Sequence, residues 1–148
     1  GMATYSRKIS VPKEMTGAKR RLYLDLGRAE VMARVKLNGK DLGLLWKPPY
    51  RLEITEAVKT GDNALEISVV NLLPNRMIGD EELPEDTVRK GDGSLAEWPQ
   101  WLQDKKPSPS GRFTFGTWRL YRKGEGLQDS GLIGPVRITA CEDVSGKF

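Results

Sequence analysis

The stretch "VMARVKLNGKDLGLLW", residues 31–46, decides the class of fold. Val31, Ala33, Val35 and Leu37 alternate with Met32, Arg34 and Lys36, the period of a strand with one buried and one wetted face. Asn38-Gly39 follows, the preferred dipeptide of a type I′ hairpin turn, in which both central residues take positive φ. The chain is expected to fold back through Asp41 to Trp46. Trp46 follows Leu44 and Leu45 at the end of the returning strand, where burial of the ring is expected.

Outward from this hairpin the same period recurs. Tyr5, Ile9 and Val11 share a parity, as do Leu22, Leu24 and Leu26, then Tyr50, Leu52 and Ile54, then Leu65, Ile67 and Val69. Val136, Ile138 and Ala140 mark a final strand. Pro48-Pro49 donates nothing to a ladder and belongs at an edge or a crossing between sheets. Thr55 can cap one helical turn over residues 56–59, closed by Gly61, and Gly61-Asp62-Asn63 reads as a turn. Over residues 112–121 the phase changes at Gly116, with Phe113 and Phe115 before it and Trp118 and Leu120 after it, which suggests a bulged or bent strand. About eight strands, short turns and no long helix predict an all-β protein. Its architecture is an antiparallel β-sandwich of the jelly-roll kind in one domain over residues 1–148. Gly1-Met2 reads as a tag remnant followed by a start or cloned methionine, with residues 1–3 a tag or disordered. Residues 80–111 lack periodicity and read as one long irregular loop.

Composition removes several function classes. The 148 residues contain no histidine, so Ser-His-Asp and Cys-His catalysis and the usual zinc sites are excluded. The single cysteine, Cys141, cannot form an intrachain disulfide and is expected to be a small buried hydrophobe. The net charge of +4 is scattered, with Lys19, Arg20 and Arg21 the only tight basic cluster, which argues against a nucleic-acid partner. No apolar run has the length of a membrane-spanning helix, so no membrane partner is read, and residues 4–13 do not read as a signal peptide.

Chemistry-bearing residues concentrate in the irregular segment. Asp80, Glu81, Glu82, Glu85 and Asp86 could supply the two carboxyls of a glycoside hydrolase, ligate calcium, or form a solvated acidic loop. Trp98 and Trp101, in "EWPQW", could stack on sugar or pin the loop. Arg76 carries a fork suited to carboxylates or vicinal hydroxyls, or pairs with Asp80 to fix the strand exit. The candidate ligand-binding residues are therefore Arg76, Asp80, Trp98 and Trp101; no catalytic residue and no metal ligand is assigned.

"LDLGRAEVMARVKLNGKDLGLLWKPPYRLEITEAVKTGDNALEISVVNLLPNRMIGD", residues 24–80, resembles the sugar-binding β-sandwich of family 2 glycoside hydrolases. With "EWPQWL", "PSPSGRFTFGTWRLY" and "SGLIGPVRI" added, residues 4–139 more closely resemble the C-terminal sandwich of the α-L-rhamnosidase type, family 106. The resemblance implies a galactose-binding-like jelly roll. No cofactor is expected, with calcium left possible at the acidic loop. It implies a module, or a stand-alone relative, of a secreted or periplasmic polysaccharide-degrading enzyme whose catalytic acids lie in another domain. The implied partner is a carbohydrate or a catalytic domain of the same polypeptide. Two other readings stay open from the acidic loop: a small stand-alone glycoside hydrolase, and a calcium-stabilised adhesion module.

Overall fold

In the computed structural model, which describes residues 1–17 and 19–142, the chain turns at Asn38 and Gly39 with φ of 52° and 80°. This is the type I′ geometry that the Asn-Gly pair favours. Nine strands lie among the described residues: β1 (Met2–Val11), β2 (Arg20–Asp25), β3 (Arg28–Glu30), β4 (Met32–Leu37), β5 (Lys40–Leu45), β6 (Arg51–Glu53), β7 (Gly61–Val70), β8 (Gly131–Gly134) and β9 (Arg137–Glu142). Two short helices, α1 (Pro74–Asp80) and α2 (Gln100–Gln103), separate β7 from β8. The chain divides into two compact units: residues 1–72 with the chain from Asp129 onward, and residues 73–128.

The first unit is an antiparallel β-sandwich of jelly-roll type. One sheet has the order β1-β7-β4-β5, a second β6-β2-β9, and β3 pairs with β8. Every strand pair is antiparallel. The alternation places Ala33, Val35 and Leu37 of β4 and Leu65, Ile67 and Val69 of β7 against Leu22 and Leu24 of β2, with Val11, Leu26, Tyr50 and Ile54 completing a dry core. Each fully buried aliphatic side chain contributes about 1.5–3 kcal/mol by leaving water. Met2 and Ala3 lie within β1, and Gly1 is tied to Asn71 through its ammonium group (2.5 Å) and its carbonyl (3.0 Å).

Asn63 is a buried polar residue at the start of β7. Its carboxamide oxygen accepts from Asn38 Nδ2 and Lys59 N, and its nitrogen donates to the carbonyls of Lys59 and Gly61. Asn38 in turn exchanges bonds with the backbone of Ala64. The hairpin turn is thus stitched to β7 by two amides, of which Asn63 is buried at little cost because it is satisfied.

Several expectations fail, each for a visible reason. Trp46 is 62% exposed rather than buried. A bulge in the β4–β5 pairing, where Val35 opposes Gly43 and Lys36 opposes Asp41, leaves Leu42 unpaired and shifts the parity of β5. Leu42 and Leu45 therefore pack on the core, while Leu44 and Trp46 face outward, with Lys47 Nζ 4.9 Å from the indole centroid. Cys141 is exposed, because on the edge strand β9 it shares the outward phase of Arg137 and Thr139, while Ile138 packs against the core. The turn after Ile54 forms, with Val58 N donating to Ile54 O, but Thr55 does not cap it. The Thr55 hydroxyl instead accepts from Leu22 N and donates to Glu53. Residues 112–121 form no strand; only Trp118 makes an isolated bridge, to Ser94. The short strand β8 escapes the sequence reading because two of its four residues are glycine.

Gly27 explains why "LDLG" and "GLIGP" are diagnostic together. Its φ is +65°, and a Cβ there would lie 2.5 Å from the carbonyl carbon and oxygen of Gly134. The two glycines meet in a bridge that admits no side chain. Gly27→Ala combines left-handed strain of about 1–2 kcal/mol with a backbone clash, so a loss of roughly 2 kcal/mol or more is expected. Trp46→Ala, at an outward-facing position, is expected to change stability by no more than about 0.5 kcal/mol. Denaturant titration of both variants checks the pair.

Candidate functional site

The second unit is organised by side chains rather than by ladders. Pro74 sits at the first turn of α1, where its missing N–H is harmless. Arg76 and Asp80 are four residues apart, so they share a face of the helix and pair at 3.3 Å. Asp80 is only 3% exposed. Its Oδ2 accepts from Phe113 N (2.9 Å), Thr114 N (2.6 Å) and the Thr114 hydroxyl (2.8 Å). These two N–H groups are donors that a strand at 112–121 would have given to a ladder. Above them the Arg76 guanidinium lies 5.0 Å from the centroid of the Phe113 ring.

Burial pushes the Asp80 carboxyl up, but the N–H and hydroxyl of Thr114, the N–H of Phe113 and the charge of Arg76 outweigh it and hold the group below its ordinary value.

Most of the acidic segment is held by side-chain partners, while Glu82 stays exposed. Arg112 is largely buried and binds Glu81 at 3.1 Å, while also donating to the carbonyls of Leu83 and Pro84. Arg119 reaches the other oxygen of Glu81 at 3.6 Å and pairs with Glu85, which Arg89 approaches at 4.0 Å. Asp86 accepts from the hydroxyls of Ser108 and Ser110. Among the described residues no group of three or more His, Cys, Asp or Glu side chains is disposed to hold a metal ion.

Trp98 and Trp101 flank one ring, Phe115, each at 5.9 Å; Trp98 is tilted by 33° and Trp101 meets it edge-on at 87°. Trp101 is half-buried and donates from Nε1 to Asp86 O, whereas Trp98 is 58% exposed. Arg76 and Asp80 thus sit together at one place, and the two tryptophans together at another. The sequence reading did not single out Trp118, Arg119 and Arg122. They line an open cleft of about 850 Å³ with Glu81, Glu85 and Arg112. The signal is present in "RFTFGTWRLYR", where three arginines surround a tryptophan, but its apolar residues read as strand phase.

No protein-family model matches the chain. Over 145 residues, 98% of its length, it is 46% identical to the protein called "Putative beta-glucuronidase" in Formosa agariphila, of which it covers 12%. It also aligns with a rhamnosidase from Novosphingobium sp. PP1Y at 39% identity and a TM-score of 0.67, covering 95% of this chain and 11% of that one. The chain resembles a small β-sandwich domain of the family 2 and family 106 glycoside hydrolases. A β-glucuronidase from Bifidobacterium dentium, solved with coumarin-3-O-glucuronide, shares the fold at a TM-score of 0.56 and 21% identity, over 96% of this chain and 22% of that one. The chain spans about a tenth of the length of the curated relative and of the rhamnosidase, both much larger proteins.

The Asp80 interaction yields a pH signature. A carboxyl held below its ordinary value adds stability that is complete above about pH 4, the unfolded value, and is lost as pH falls through the folded one. Asp80→Asn keeps the shape but turns an amide toward three donors, so a loss of about 2–3 kcal/mol is expected at pH 7. The gap between parent and variant should narrow below about pH 4, as calorimetric melts from pH 7 to pH 2.5 would register.

Proposed function

We propose that the chain is a non-catalytic accessory module of a carbohydrate-active enzyme, which holds glycan or packs against a catalytic domain of the same polypeptide. The observation that carries this reading is the match of nearly the whole chain, at 39% identity, to about a tenth of a rhamnosidase. The state of the acidic segment supports it. Hydrolysis of a glycosidic bond needs two carboxyls flanking a sugar, one of them able to give up a proton. Asp80 is buried and held ionised, and Glu81 and Glu85 are engaged by arginines. Of the candidates, Trp98 offers the most open aromatic face, and a neutral sugar ring would stack there. A periplasmic or secreted location belongs to the same reading, and fractionation of the native cells tests it.

The isolated chain should release no nitrophenol from aryl rhamnosides or galactosides; turnover would replace this reading with a small hydrolase. Calorimetric titration with rhamnose- and galactose-containing oligosaccharides separates the two forms of the proposal. Heat that Trp98→Ala abolishes assigns glycan binding, and no heat at millimolar ligand leaves the packing form.

Calcium would have to recruit carboxylates of which all but Glu82 are already committed to arginine or hydroxyl partners. Chelator is therefore expected to leave the melting temperature unchanged, and a fall would assign an ion to the acidic segment.

A further inference from the structure

The cleft lined by Trp118 lies within the second unit, and its charge is unbalanced. Six cationic side chains line it against four anionic ones. Glu81 and Glu85 are shared among Arg89, Arg112 and Arg119, and the Nε atoms of Arg89 and Arg119 find no hydrogen-bond acceptor. Glu82 is 4.0 Å from Lys123, and Asp92 accepts from the N–H and hydroxyl of its own neighbour Ser94. Among the described residues Arg122 and Lys90 form no ion pair within 4.0 Å, yet both line the cleft. The donors outnumber the acceptors, so the walls carry a positive potential that a concave surface focuses.

An aromatic face is fixed in the same cleft. Trp118 is 51% exposed. Its backbone is held by the bridge to Ser94, by Leu95 N donating to Thr117 O and by Arg119 N donating to Gly93 O. Gly93, at φ +87°, lies against the indole and Arg119, where a Cβ would be 3.8 Å from Trp118 Nε1. The backbone that carries the indole is thus held beside cationic walls. The cleft volume of about 850 Å³ falls within the roughly 300–1,000 Å³ usual for small-ligand sites.

We infer that this cleft binds an anionic saccharide, with Trp118 stacking on a sugar ring and Arg122 and Lys90 meeting its carboxylate or sulfate. The inference rests on the accessory-module reading and adds a ligand class and a site distinct from Trp98. A guanidinium fork suits either oxyanion, which both offer two coplanar or adjacent acceptor oxygens. A neutral glycan would gain nothing from this excess of positive charge.

Titration calorimetry of the 148-residue chain at low salt, with tri-galacturonate, neutral galactotriose and a sulfated galactotriose, tests it. At least one anionic trisaccharide should bind tenfold or more tightly than the neutral one, and which anion binds identifies the charged group. The preference should shrink as salt is raised toward 1 M. Trp118→Ala should weaken binding of the preferred anion at least tenfold. Arg122→Glu, an exposed change that spares the buried arginines, should abolish the preference for anions, while Trp98→Ala should not alter it. Equal binding of all three sugars, lost only in Trp98→Ala, overturns the inference and keeps glycan binding at the first site. Binding of none of the three overturns it and leaves the packing form of the module.

Discussion

The second unit turns on one carboxylate. Asp80, at the end of a seven-residue helix, collects three donors from residues 33 and 34 positions further along the chain. A helix this short is not stable on its own, and its return partner is not a strand. Neither element has a ladder or an apolar stripe long enough to hold it. The buried carboxylate substitutes for both, by giving the unpaired N–H groups of Phe113 and Thr114 a charged acceptor. Once that contact is made, Arg112 is brought to Glu81 and to the carbonyls of Leu83 and Pro84. The arginine-glutamate network then follows from it. This order of dependence is why a segment without periodicity can still have a defined shape.

That dependence also marks where the sequence was legible and where it was not. The sandwich could be read because burial on one face of a strand writes itself every second residue, as in Ala33-Val35-Leu37 and Leu65-Ile67-Val69. The Asn38-Gly39 turn could be read because few dipeptides tolerate two positive φ values. Trp46 could not, since a single unpaired residue at Leu42 reverses the parity of everything after it, and a bulge leaves only a glycine as its trace. The Arg76–Asp80 pair was legible as opposite charges at the strand exit, but the helix that carries it and Asp80's burial were not, because Asp80's backbone partners are N–H groups that carry no residue identity. The same holds for the arginine network: charge pairing between residues thirty apart leaves no local period.

The exposed aromatics divide by what surrounds them. Trp101 is anchored by a hydrogen bond from its indole and by the edge of Phe115, and Trp98 leans on the other side of that ring. These two residues form a small apolar cluster with few charges attached. Trp118 instead stands among cationic side chains. An aromatic in the first setting presents a neutral face, whereas one in the second presents a face whose occupant must also satisfy charge. The distinction matters for a module of this kind, because stacking alone discriminates poorly between sugars and oxyanion pairing discriminates strongly.

The placement of this chemistry follows from the way the chain leaves and rejoins the sandwich. Asn71, just after β7, donates to the Ser130 hydroxyl, just before β8. Within the second unit Asn75 both donates to Gln128 O and accepts from Gln128 N, as one strand residue does for another. The two ends of the excursion are therefore closed twice, by short polar contacts that do not depend on what lies between. Closing a loop costs only about 0.6 kcal/mol more for each doubling of its length, so such a neck tolerates a long insertion at little expense to the sheets. The sandwich core contains no residue of the segment from Leu73 to Gln128. Substitutions in that segment can therefore alter charge and aromatic surface without opening a cavity in the core. That independence allows a ligand-directed surface to be carried on a fold whose own residues are committed to packing.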